Sequence, residues 1–319
     1  MHPENHSTLE EFVLLGIPVP DQLVTVFFYL LLLIFALSLL GNLTIVAVVL
    51  LDSHLHTPMY FFLFNLSILE IAFTLCIIPV MLSNLLSTAK TISFYGCIIQ
   101  CFFYFFLGIA EFLLLALMSF DRYVAICNPL NYSTVMNFRL CSRLVFSCWF
   151  LGFIFVIYPM TAISKLPFCG SNIINHFFCD IEPLLALSCS TNTTLIELFN
   201  FMIAIIVLLG SLVLTTVSYI SIIATVLKIP SDTGRKKAFS TCSAHITVAS
   251  IYYGSAIFMY LRPSKTPSLD LKKTVSILTA VITPALNPFI YTLRNEKVKE
   301  ALRDLLKGRV YLNPTKTSK

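Results

Sequence analysis

Two carboxylates stand alone in oily surroundings. From Ser53 to Ala89 the single charged residue is Glu70, and from Thr91 to Phe120 it is Glu111. An ionisable group at mid-membrane depth costs roughly 3 kcal/mol on insertion scales and faces a polar interior. Two such groups in one wet pocket can hold a cation such as sodium. Alternatively, one keeps its proton, because two close like charges do not both ionise. The competing reading is structural: both are neutral and hydrogen-bonded, acting as glue between helices. Asn42, Asn65, Ser67 and Asn287 are the polar residues that could partner them.

A second pair has a different character. Asp121 and Arg122 sit side by side, ten residues after Glu111. At 1.5 Å per residue that is about 15 Å along a helix, which places them at a membrane surface. A plain stop signal explains an arginine snorkelling to the headgroups. It does not explain the aspartate, Tyr123, or the Pro129 that follows.

These groups need long apolar elements to position them. The chain of 319 residues is 57% hydrophobic and 12% charged, with a mean hydropathy of +0.87. Soluble domains carry about 25% charged residues, so this is a membrane protein. The net charge of +5 comes without a basic stripe and excludes nucleic acid as a partner. Charges bound seven runs, each long enough for the ~20 residues a spanning helix needs. They are too long and unalternating for barrel strands. The expected fold is an all-α membrane protein, a seven-transmembrane helix bundle with a short amphipathic cytoplasmic helix after the seventh span. The spans are expected at about 23–51, 58–86, 94–126, 140–163, 197–228, 236–261 and 271–293. Residues 1–22 form an extracellular segment, 23–293 the bundle, and 294–319 the cytoplasmic helix and tail.

Seven spans put the termini on opposite sides. Most of the 21 Lys and Arg residues fall on the side of the C-terminus, which makes that side cytoplasmic. The first 22 residues contain no Lys or Arg and do not resemble a cleaved signal peptide. Cys97, Cys169, Cys179 and Cys189 then lie on the oxidising side, where three pairings are open. The other six cysteines read as small buried hydrophobes. Of five Asn-x-Ser/Thr triplets, Asn5 is the glycosylation candidate and Asn192 lies close to the membrane. The tail stretch NEKVKEALRDLL places Val298, Ala301, Leu302, Leu305 and Leu306 on one face, as a helix lying on the inner leaflet does. There are no metal-ligand spacings and no Gly-x-Ser-x-Gly, so an enzyme is set aside. A transporter usually shows repeats and broken helices, and the chain shows neither.

The runs carry motifs in a fixed order. Gly41-Asn42 is followed by LHTPMY (Leu55–Tyr60), MSFDRYVAIC (Met118–Cys127), Ser218-Tyr219, KAFSTCSAH (Lys237–His245) and PALNPFIY (Pro284–Tyr291). Together they resemble the vertebrate odorant (olfactory) receptors, of the tetrapod-type class II group, within the rhodopsin-like G-protein-coupled class. The resemblance covers nearly the whole chain. It departs in Met-Ser-Phe for the usual Met-Ala-Tyr before Asp121, and in Glu70 for the usual Asp. The first departure is expected to matter little; the second changes the geometry of any sodium site at Glu70 and Glu111.

The resemblance implies disulfides Cys97–Cys179 and Cys169–Cys189. It implies that Asp121 restrains Arg122 at rest, and that Arg122 turns toward Tyr219 on activation. Tyr123, His245, Asn287, Pro288 and Tyr291 join that switch, and Tyr253 stands where many relatives of the wider class carry Trp. It implies a ligand site in the outer half of the bundle. That site is formed by Tyr104, Phe105, Gly108 and Ile109, by Asn200, Ile203, Ala204 and Val207, by Tyr253, Ala256, Ile257 and Tyr260, and by Ile277 and Ala280. No charged residue is in the set, so the expected ligand is a small neutral volatile. No enzymatic activity and no cofactor beyond a sodium ion are expected. The partners are a stimulatory, olfactory-type G protein acting through cAMP, and the lipid bilayer. A non-olfactory chemosensory receptor of the same fold, or a cation transporter using Glu70 and Glu111, is the alternative.

Overall fold

The computed structural model describes residues 10–169, 171–191, 193–260 and 269–307. Within these, the side chains of 232–234, 236–241, 260, 269–270, 293–294, 296 and 306 lie outside the description. Asn5, Asn192 and the tail beyond 307 also fall outside the described residues.

The helices are α1 (Val24–Leu51), α2 (Pro58–Leu86), α3 (Phe94–Cys127), α4 (Phe138–Ile163), α5 (Thr194–Val226), α6 (Asp232–Tyr260) and α7. The last of these runs as Leu269–Ile277, a π-helical turn Leu278–Ile282, and Thr283–Arg294. A terminal helix α8 (Glu296–Leu306) follows. Six of the elements among the described residues are long and apolar enough to cross a membrane. Helix α6 is not one of the six; Ser243, His245, Thr247, Ser250, Tyr252, Tyr253 and Ser255 dilute its apolar content. His245, Tyr252 and Tyr253 have partners inside the bundle, described below, so α6 completes seven helices.

Helix α3 is central and packs on α2, α4, α5 and α6. Its buried residues come from all sides, while α1, α4 and α5 expose large apolar side chains such as Leu33, Leu40, Phe146, Phe150, Ile206 and Val213. That outward surface suits hydrocarbon, because every helix satisfies its own backbone. Close approach needs small residues at two crossings. A Cβ on Gly41 of α1 would sit 2.8 Å from Pro288 Cβ of α7, and one on Gly152 of α4 would sit 2.9 Å from the Phe106 carbonyl of α3.

Proline shapes α7. Pro288 has no N–H, so the carbonyl of Pro284, four residues earlier, loses its helical donor. The Nδ2 of Asn42 in α1 donates to that carbonyl at 3.1 Å. Pro284 likewise leaves the Ala280 carbonyl without its helical donor, and Ala280 lies inside the π turn. The irregular turn of α7 thus lies at Leu278–Ile282, before Asn287-Pro288.

One element was not anticipated. A small three-stranded sheet of order β2-β1-β3 covers one end of the bundle. Strand β1 (Glu11–Leu14) pairs antiparallel with β2 (Thr91–Ser93) and parallel with β3 (Ile173–Ile174). Phe12 and Leu14 are fully buried beneath it. At the other end, α8 turns its apolar face inward. Val298 and Ala301 are buried in the bundle core, and Leu302 and Leu305 pack against it. That face meets α1 and α7.

Candidate functional site

At the α8 end, the Asp121 carboxylate is buried and bound to Arg122, whose Nε donates to Oδ2 at 3.0 Å and whose Nη2 also donates there. The other oxygen, Oδ1, accepts the Tyr132 hydroxyl at 2.8 Å. Tyr132 opens a short helical turn just after α3. Sequence reasoning gave it no role, although the LNY tripeptide sits eleven residues from Asp121. Tyr123 packs with Ile126 and Cys127 against Tyr219, Ile222, Val226 and Cys242, closing α3, α5 and α6 together.

His245 ties three helices. Its Nε2 lies 3.1 Å from the Leu115 carbonyl, and its Nδ1 lies 2.6 Å from the Tyr219 hydroxyl. A carbonyl only accepts, so Nε2 carries the proton and Nδ1 accepts from Tyr219. The neutral imidazole thus holds α3, α5 and α6 in one chain of bonds. Tyr291 is buried, and its hydroxyl has no partner among the described residues.

Above this lies the carboxylate cluster. Glu70 Oε1 accepts from Asn287 Nδ2 and from the Tyr252 hydroxyl at 3.1 Å. Glu111 is buried beside Glu70 and Tyr252. Three acceptor oxygens, Glu70 Oε2, Glu111 Oε1 and Asn287 Oδ1, have no partner among the described residues. Tyr252 escaped the sequence reading because its neighbour Tyr253 matched the motif; adjacent helix positions lie about 100° apart and face different groups.

Tyr253 reaches a separate chain. Its hydroxyl lies 3.2 Å from Thr215 Oγ1, which lies 3.4 Å from Ser119 Oγ. Ser119 also donates to the Ala116 carbonyl at 2.6 Å. The Ser in Met-Ser-Phe thus places a hydroxyl within reach of this chain. It connects α6 through α5 to a point two residues before Asp121.

The fourteen residues expected to hold a ligand divide. Tyr104 is buried, with its ring 4.4 Å from Phe178 and 5.2 Å from both Phe73 and Phe105. Phe105 and Ile109 are half-buried, packed against the core at the sheet end. Ala280 is fully buried in the core, and Ile277 packs against it. Tyr253 and Ala256 share a cluster with Leu208 and Ala249 over Phe112. Val207 is buried, Asn200, Ile203 and Ala204 are half-buried, and Ile257 is exposed. Gly108 borders open space. The side chain of Tyr260 lies outside the described residues. A cleft of about 30 Å³ at the sheet end, lined by residues including Leu15, Phe27, Asn84, Lys90 and Phe177, involves none of the fourteen.

The sheet end is covalently braced. Cys97 joins Cys179 and Cys169 joins Cys189. Gln100, unremarked in the sequence, donates to the Cys76 carbonyl at 3.0 Å and accepts from the Cys179 N–H at 3.0 Å. His176 lies between Phe177 and Phe178, with ring centroids at 4.7 and 4.4 Å. Burial, with Lys273 and Lys272 adding to it, pushes its pKa down to about 3. Burial raises Asp180 to about 6, against the N–H of Ile181 that it caps.

A model of the olfactory receptor family matches residues 31–309. The chain belongs to that family. It is a G-protein-coupled olfactory receptor and not an enzyme. It is 54% identical over 299 residues to human Olfactory receptor 6J1, covering 94% of this chain and 86% of that protein. It is 52% identical over 301 residues to Olfactory receptor 6E1 of Mus musculus, covering 94% and 96%. With human Olfactory receptor 6C1 it shares 50% over 311 residues, covering 98% and 99%. Family membership, with the apolar helices, makes the receptor a multi-pass protein of the plasma membrane. It also decides against the cation-transporter alternative.

Proposed function

We propose that this olfactory receptor binds a small neutral odorant in the sheet-end half of the bundle and activates a stimulatory, olfactory-type G protein, raising cAMP. In this reading the sheet end faces outward and α8 faces the cytoplasm, which the distribution of Lys and Arg supports. One observation carries the reading. The described ligand-set residues bring no charge to the outer half, while Asp121-Arg122 and the Tyr219–His245–Leu115 chain close the opposite end. An ionised ligand in such surroundings would lose its hydration without a counter-charge. A neutral ligand that prefers the open arrangement shifts the population toward it. The direct test is cAMP in receptor-expressing cells challenged with neutral odorants and with carboxylic acids. Activation by neutral compounds, lost in Arg122→Ala at equal surface density, supports the reading. High potency of a carboxylic acid through this set refutes the neutral-ligand claim.

The three orphaned acceptor oxygens of Glu70, Glu111 and Asn287 support a sodium ion at that cluster, since hard cations take oxygen ligands. Sodium replaced by choline should then alter basal signalling in the native receptor and not in Glu111→Gln. Equal responses in both would favour neutral carboxyl groups acting as glue.

A further inference from the structure

We infer that the polar group of the odorant is a hydrogen-bond acceptor, read by the side-chain amide of Asn200. This rests on the outer-half site proposed above. The inward stripe of α5 runs Ile196, Asn200, Ile203, Val207, Ser211, Thr215, at helical spacing. Ile196, Val207, Ser211 and Thr215 are buried, whereas Asn200, Ile203 and Ala204 are only half-buried. The stripe therefore loses its packing partners over one stretch, between Ile196 and Val207.

Room is found on α3, near the Phe112 that packs against Leu208 of α5 and Tyr253 of α6. A Cβ added to Gly108 of α3 would meet nothing within 4 Å. Gly108 lies one turn from Phe112, whose ring contacts Tyr253 of α6 at 5.5 Å. Phe112 and Tyr253 thus form a floor, with Gly108 above it on the same face of α3.

The polar inventory of this space is unequal. The Tyr253 hydroxyl is already engaged by Thr215 and within reach of Ser211. Asn200 Nδ2 is sealed from solvent and has no hydrogen-bond partner among the described residues. Within the described part of the ligand set it is the buried nitrogen or oxygen in that condition. A buried N–H donor without an acceptor is costly, and a ligand carbonyl or ether oxygen relieves that cost. An alkane of the same shape fills the space and leaves the donor unpaired. The class selected is an aldehyde, ketone, ester or ether with an apolar body.

The test uses the full-length receptor at the cell surface, with cAMP dose–response curves for ketones, ethers and esters beside alkanes of the same length. In the native receptor the oxygenated member of each active pair should be more potent by about 10- to 100-fold. Asn200→Leu should bring that ratio to about one, through loss of the oxygenated ligand's potency. Asn200→Ser, which keeps a donor, should restore part of it. The ratio is taken within one variant, so reduced expression does not imitate the result. An unchanged ratio in Asn200→Leu overturns the inference and leaves the receptor reading standing. Silence of the native receptor across every pair, with normal surface density, overturns the neutral-ligand reading and this inference with it.

Discussion

Tyr132→Phe isolates one bond of the closed state. The phenylalanine keeps the ring and removes only the hydroxyl that reaches Asp121 Oδ1 at 2.8 Å. Asp121 is 1% exposed, so water does not replace the lost donor. A hydrogen bond to a charged group contributes about 1.5–3 kcal/mol, which is roughly 10- to 150-fold in an equilibrium constant. On the switch proposed for this receptor, Arg122 leaves Asp121 on activation, and Tyr132 is assigned with it to the closed arrangement. A receptor resting at about 1:99 open to closed would rise to roughly one open molecule in ten at the lower figure. Basal cAMP per surface receptor should therefore rise several-fold in Tyr132→Phe. Asp121→Asn, which weakens both bonds, should raise it further. Basal cAMP equal to the native receptor's at matched surface density would refute the assignment of Tyr132 to the latch.

Three further perturbations read other parts of the molecule. Gly41→Ala forces a methyl to within 2.8 Å of Pro288 Cβ and should cost about 1–3 kcal/mol through overpacking, seen as reduced thermal stability of purified receptor. Asn42→Ala strips the donor from the Pro284 carbonyl and should cost about 1–3 kcal/mol, with the loss appearing as faster hydrogen exchange around 284–288. The pKa of His176 falls from 6.5 to about 3 on burial. The unfolded loop binds the extra proton between those values, so loop stability is complete above pH 6.5 and falls as the pH drops toward 3. From pH 7 to pH 5 the loss is about 2 kcal/mol. Asp180, raised from 3.8 to about 6, acts oppositely over its own window. Comparing exchange across 173–187 at the two pH values in the native receptor and His176→Gln separates the two; an identical pH response would refute the His176 assignment.

The bundle was legible because charge is scarce. In a chain with 12% charged residues, each Lys, Arg, Asp or Glu marks either a boundary or a buried site, and the two cases differ by their distance from the run's end. Glu70, Glu111 and Asp121-Arg122 announced themselves this way. Their partners did not. Tyr132 and Tyr252 are common residues in unremarkable positions, and only the fold brings them to Asp121 and Glu70. Gln100 acquires its place from the Cys179 N–H, 79 residues along the chain. The sheet was invisible for a different reason. Its strands are two to four residues long, too short to show alternation, and their pairing depends on partners far along the chain.

That distance has a consequence for how the receptor is made. Strand β1 occupies the centre of its sheet, between partners near residues 92 and 173. At roughly 5–20 residues per second, it waits on the order of ten seconds or more during synthesis before Ile173 exists. For that interval Phe12 and Leu14 have no core to enter, and the strand has at best one neighbour. A segment synthesised before both of its partners is thus among the last to settle. A ribosome-bound chain with β1 protected from protease has already built its fourth helix and the loop beyond it.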